Sequence, residues 1–113
     1  MKLYIPALGT CLSTTKAWTF SLFCEERNKS LWDLVTGMPK MDTIPLRHRR
    51  GNMAAVTIPA NTELTVDRIF IRKNQSMFNS VTFIAWVEHF GVKHRVRFWV
   101  PLDAVNGLEC EVI

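Results

Sequence analysis

Long apolar runs are absent from this 113-residue sequence. Its uncharged apolar stretches fall far short of the roughly 20 residues that a membrane-spanning helix needs, so we expect no membrane association. The apolar run after Lys2 is interrupted by Pro6, is too short for the core of a signal peptide, and is interpreted as a first strand. The sequence has no internal repeat and no low-complexity segment. We therefore expect a single domain over residues 1–113.

Cysteine is scarce, and its spacing matches no metal site. The three cysteines, Cys11, Cys24 and Cys110, are odd in number and form no CxxC pair. This pattern favours a reducing compartment with buried free thiols, and it argues against a zinc site. His89 and His94 flank a tight turn and are interpreted as solvated or loop-packing residues. The sequence therefore predicts no metal.

The motifs of common enzyme classes are absent as well. There is no GxSxG turn, no glycine-rich phosphate loop, no HExxH and no HxE followed by PCxxC. The aspartates lie in separate segments, and a small barrel fills its interior with side chains instead of leaving a pocket. We expect a protein that is not an enzyme and uses no cofactor.

Period-2 alternation is the main pattern that the sequence does contain, and it is typical of half-buried β-strands. In the stretch 52–86 the alternation slips at Asp67 and Arg68, which predicts a β-bulge that bends the strand. Asn61 stands at a turn position that tolerates a positive φ. Three segments each place apolar residues on one face: Trp18, Phe20, Leu22 and Cys24; Val81, Phe83, Ala85 and Val87; Val96, Phe98 and Val100.

A short helix is predicted after the strand that contains Trp18. Ser30 is expected to be its N-cap and Asp33 its N3 residue, and Gly37 is expected to end it. Trp32 is expected on the exposed side of this helix.

The C-terminal segment predicts the fold type. Pro101 ends a strand, and a short helical turn leads to a last strand in which Leu108, Cys110 and Val112 are expected to face inward. This ending is similar to that of SH3-like barrels. The sequence thus predicts an all-β fold, a small SH3-like β-barrel with one short helix, and the alternative is an OB-like barrel.

Basic residues form the candidate binding set in a chain of formal net charge +4. A long loop at about 37–51 holds the densest basic run, and Arg95, Arg97 and Trp99 alternate on one strand, which suits phosphate contacts and base stacking. The competing interpretation is that these charges pair with glutamates across strands, namely Glu88, Glu109 or Glu111. The candidate binding residues, for a protein or for nucleic acid, are Arg47, Arg49, Arg50, Arg68, Arg72, Lys73, Arg95, Arg97 and Trp99.

The segment IPANTELTVDRIFIRKNQSMFNSVTF, together with YIPAL and FWVPL, resembles small uncharacterised β-barrel proteins encoded by bacteriophages. In their pattern an IPAGT-like turn leads into a VDRIYIRKG-like strand, and Asn61 stands here where that turn has glycine. The resemblance implies a phage accessory protein in the host bacterial cytoplasm, and it carries no catalytic motif.

Aromatic residues favour a protein partner. The chain has four tryptophans, and tryptophan, tyrosine and arginine dominate the hot spots of protein interfaces. Together with the resemblance, this leads us to expect a protein that binds and inhibits or modulates a host bacterial protein, such as a defence component. Binding of nucleic acid or a nucleotide through the basic groups is the alternative, and homo-oligomer formation is left open.

Overall fold

A computed structural model describes residues 8–35, 45, 52–70 and 79–113. The predicted first strand lies outside these ranges, and so does the 37–51 loop apart from Pro45. Within them the elements are β1 Cys11–Thr14, β2 Trp18–Phe23, a 3-10 turn Glu26–Asn28, α1 Lys29–Val35, β3 Met53–Ile58, β4 Glu63–Phe70, β5 Ser80–His89, β6 Val92–Pro101, α2 Leu102–Val105 and β7 Cys110–Val112.

Five strands form one antiparallel sheet in the order β6-β5-β4-β1-β7, and β2 pairs with β3 in a second sheet. β4, β5 and β6 form a meander, β4 also pairs with β1, and β7 returns to the other side of β1. The predicted all-β class is confirmed. The predicted short helical turn before the last strand is present as α2, and the last strand pairs with the first. In the described residues both sheets are open, since β6 and β7 are the edges of the larger one.

The core lies between the two sheets. Trp18 of β2 meets Phe83 of β5 edge to face with ring centroids 5.7 Å apart, and Phe20 stacks on Phe98 of β6 at 5.3 Å. Full burial of one such ring contributes about 1.5–3 kcal/mol. The indole N–H of Trp18 donates to the carbonyl of Ala104 at 3.1 Å, so the donor of this buried ring is satisfied. The inward positions predicted for β2, β5 and β6 are confirmed.

The predicted β-bulge is present in β4. The register against β5 shifts between Val66 and Arg68, which makes Asp67 the extra residue. Leu64 and Val66 before the shift are buried, and Ile69 after it packs against the same core. Because the bulge changes the phase, both halves of the strand direct apolar residues inward.

Two predictions about α1 are wrong. The helix begins at Lys29, so Ser30 lies inside it and is not its N-cap. The Ser30 hydroxyl instead bonds the backbone of Arg97, accepting from its N–H at 3.0 Å and donating to its carbonyl at 3.1 Å. Trp32, which was expected on the exposed side, is only 1% exposed, because α1 packs on edge strand β6 and turns this ring into the core.

The last strand departs from prediction at its end. Leu108 is buried as expected, but Cys110 is half-buried and Val112 of β7 is 69% exposed. β7 pairs only with β1, at the edge of the larger sheet. Alternation therefore predicts which residues of this strand share a face, but the core does not extend to the end of the strand.

Candidate binding surface

The face of the larger sheet that is turned away from the core is called here the outer face. Strand register sets which of its side chains are neighbours: Trp86 of β5 lies opposite Arg95 of β6, and Ile84 lies opposite Arg97. The residues that β4, β5 and β6 contribute to the outer face are Glu63, Thr65, Arg68, Phe70, Ser80, Thr82, Ile84, Trp86, Glu88, Lys93, Arg95, Arg97, Trp99 and Pro101.

Trp99 does not serve as an open stacking platform, and this corrects the prediction. Its ring stacks on Phe23 with centroids 5.3 Å apart and planes 7° apart. The guanidinium of Arg27 lies over the ring, 5.1 Å from its centroid. The backbone N–H of Trp99 donates to the side chain of buried Asn28 at 2.8 Å. The chain from Phe23 to Asn28, which precedes α1, thus covers the Trp99 ring and forms a hydrogen bond with the edge of β6.

Arg97 is engaged in an ion pair. Its Nε donates to the carboxylate of Asp67 at 2.9 Å, and both side chains are about one-third exposed. The charge-pairing interpretation therefore holds for Arg97, but the partner is the bulge residue Asp67 and not a glutamate of the last strand. Of those glutamates, Glu109 pairs with Lys16 at 3.5 Å. The bulge is what brings the Asp67 carboxylate into reach of β6.

Arg68 and Arg95 are exposed and have no ion pair with another described residue. The other predicted residues, Arg47, Arg49, Arg50, Arg72 and Lys73, lie outside the described residues. Acidic side chains are concentrated in the described part of the chain, whereas the basic side chains are shared equally between the two parts. The described residues hold seven basic and nine acidic side chains, whereas the remaining residues hold seven and one. The sheet framework itself is therefore not basic.

The hairpin between β5 and β6 carries the most exposed aromatic residue among those described. His89 pairs with Val92, so Phe90 and Gly91 form a two-residue loop, and both have positive φ, 50° and 78°. This is the type I′ pattern, which favours asparagine or glycine at both positions. Phe90 is 93% exposed and Val92 is 57% exposed. We refer to residues 89–92 as the hairpin tip.

Sequence reasoning identified a tight turn between His89 and His94 but missed Phe90. The signal was available: two residues, Phe-Gly, separate two strongly alternating segments, and phenylalanine has no conformational reason to occupy such a loop. Trp86 lies between the inward residues Ala85 and Val87 of β5, so the same alternation puts it on the outer face, where it is 47% exposed.

A groove of about 440 Å³ opens beside Trp86 on the outer face, and it is called here the Trp86 groove. One wall is the turn at residues 59–62, where Asn61 has a φ of 66°, as predicted. The buried Thr14 hydroxyl fixes this turn by donating to the Pro59 carbonyl and accepting from the Thr62 N–H, both at 2.9 Å. The lining residues are Pro59, Ala60, Asn61, Thr62, Glu63, Trp86, Glu88 and Lys93.

The polar groups that could act in metal binding or redox chemistry are dispersed. The described residues contain no group of three or more His, Cys, Asp and Glu side chains that could hold a metal ion. The rings of His89 and His94 lie 6.5 Å apart between centroids. None of the three cysteines, all of which are described, forms a disulfide, and burial raises the pKa of the Cys110 thiol, which keeps that side chain in its less reactive neutral form.

Comparison with known proteins adds no relative. No protein-family model, no curated protein and no solved structure matches the chain. In the part of the chain that the structure describes, no helix is long and apolar enough to cross a membrane.

Proposed function

We propose that this chain is a non-enzymatic binding protein whose partner is another protein, bound through the hairpin tip and the adjoining outer face. The observation that carries the proposal is Phe90, a fully projecting aromatic ring on a residue with a φ of 50°. A left-handed conformation costs a non-glycine residue about 1–2 kcal/mol. Strain of this kind is commonly retained where a side chain has a function.

The neighbours of Phe90 support the same function. Val92 and Trp86 are also exposed, so apolar surface is concentrated at one end of the β5–β6 hairpin. Exposed apolar groups bordered by charged ones, here Glu88, Lys93 and Arg95, are typical of protein interaction sites. The resemblance to phage proteins supplies the setting: a phage accessory protein that inhibits or modulates a host bacterial protein in the cytoplasm.

Affinity capture with matched variants tests the proposal. Tagged wild-type protein, Phe90→Asn and Met53→Gln are incubated with nuclease-treated bacterial lysate. Met53 of β3 is 54% exposed and lies in the other sheet, so its variant controls for the loss of an exposed apolar side chain. We expect one dominant protein to bind the wild type and Met53→Gln but not Phe90→Asn. Equal capture by all three, or none by the folded wild type, contradicts the proposal.

Single-stranded nucleic acid is the second candidate. The observation that favours it is Arg95, which lies opposite the exposed Trp86, because a cation beside an accessible aromatic ring suits phosphate contact and base stacking. Gel shifts over a salt series test it. If Arg95 contacts one phosphate, Arg95→Ala should reduce the salt slope by roughly 0.7. No shift of the wild type at low salt rules this candidate out.

A further inference from the structure

The geometry of the Trp86 groove points to a specific occupant: we propose that it receives a basic side chain, arginine or lysine, of the partner protein. This inference rests on the proposed function, since it names the chemistry by which a protein partner is recognised. The groove has a volume of about 440 Å³ and is lined by one exposed indole ring and by both kinds of charged group.

The aromatic ring is the first argument. Trp86 is 47% exposed and lines the groove, and no cation of another described residue lies over its indole. Arg95, although opposite in the register, does not lie on the ring; among the described residues only Arg27 makes such a contact, with Trp99. A tryptophan face attracts ammonium and guanidinium groups through its quadrupole, and this attraction is worth about two- to fivefold in affinity at an exposed site.

Charge is the second argument. Glu63 and Glu88 both line the groove, and neither has an ion pair with another described residue. Lys93 lies opposite Glu88 in the register, yet its Nζ is not within the 4.0 Å that defines an ion pair. Two carboxylates against one ammonium give the lining a formal charge of −1, and Arg95, opposite Trp86 in the register, is not part of that lining. An incoming cation would therefore gain an ionic partner, whereas an acidic side chain would be repelled.

The rigidity of the wall is the third argument. Thr14 and Thr62 hold the turn at residues 59–62 through hydrogen bonds on the Pro59 carbonyl at 2.9 and 2.7 Å, and the Asn61 N–H donates to the Thr14 carbonyl at 2.7 Å. A wall that is fixed in the free protein need not be ordered on binding, and this favours affinity. The most recognisable stretch of the sequence, IPANTEL, thus forms a side of the proposed site.

Peptide titration tests the occupant directly, without a known partner. Three blocked tripeptides, Gly-X-Gly with X as arginine, citrulline or glutamate, are titrated at low salt while two-dimensional NMR records the Trp86 indole N–H. Trp86→Phe identifies that resonance. Citrulline has nearly the shape of arginine without its charge. We expect saturable shifts with the arginine peptide, with a dissociation constant on the order of millimolar, and much weaker shifts with the other two.

Charge variants give results of opposite sign. The double variant Glu63→Gln with Glu88→Gln should weaken arginine-peptide binding at least about fivefold, and Lys93→Gln should strengthen it. Asp103→Asn controls for net charge, because Asp103 of α2 follows the opposite end of the β5–β6 hairpin, well beyond the ~10 Å screening length. Equal shifts with arginine and citrulline, or no Trp86 shift with arginine, overturns the inference. If Phe90→Asn still abolishes partner capture, the proposed function survives that failure.

Discussion

Replacing Phe90 with asparagine should make the protein more stable and less able to bind its partner. Phe90 has a φ of 50° at the first loop position of a type I′ turn, where asparagine is favoured. The side chain is 93% exposed, so its removal leaves no cavity. Within the described part of the chain, the one ring contact that it loses is with His89, at 4.4 Å between centroids.

The magnitude follows from these two terms. Relief of left-handed strain gains about 1–2 kcal/mol, and the loss of the exposed ring contact costs about 0.5 kcal/mol. We expect a net stabilisation of about 0.5–1.5 kcal/mol, which corresponds to a rise in Tm of roughly 2–6 °C for a domain of this size. Urea denaturation gives the free energy of unfolding, and thermal melting gives the Tm.

Gly91→Ala is the matched opposite change. Gly91 has a φ of 78°, and an added Cβ would meet nothing within 4 Å, so backbone strain is its only cost. We expect a loss of about 1 kcal/mol. A Tm for Phe90→Asn equal to or below that of the wild type would refute the strain argument. Higher stability with unchanged partner capture would leave the strain argument intact and remove Phe90 from the interface.

Three further changes test the contacts that build the surface. Asn28→Ala should cost about 2–4 kcal/mol in urea denaturation, because it removes the acceptor of the Trp99 N–H and leaves buried groups unpaired; a loss below about 1 kcal/mol contradicts this. Thr14→Val should cost about 1–3 kcal/mol and speed amide exchange in the turn at residues 59–62; unchanged exchange there contradicts the role of the hydroxyl. Asp67→Asn should cost less than about 1 kcal/mol, since its pair with Arg97 is one-third exposed, and a loss that persists in 1 M salt argues against a screened ion pair.

Much of the fold was predictable because its causes are local. Side chains on a strand alternate between two faces, so the inward positions of β2, β5 and β6 follow from the apolar pattern alone. The slip at Asp67 could be recognised as a bulge for the same reason, because an extra residue must shift the phase. The turn at Asn61 was predictable because few residues accept a positive φ.

The candidate surface was less predictable because it depends on contacts between distant segments. Alternation placed Trp99 and Trp86 on the same outer face, but it does not tell what covers that face. The chain around Asn28, about 70 residues before Trp99, covers that ring and bonds the edge of β6, whereas Trp86 stays open beside the turn at residues 59–62.

Most strands, and the side that each strand residue faces, thus follow from the amino-acid pattern, because backbone geometry and apolar periodicity act within a few residues. The exposure of an outward-facing residue depends on contacts with distant segments. That outcome depends on where α1 and the turn before it dock against β6, and on which carboxylate a bulge brings within reach of Arg97. The burial of Trp32, the partial covering of Trp99 and the exposure of Trp86 and Phe90 are consequences of that docking and of one strained turn.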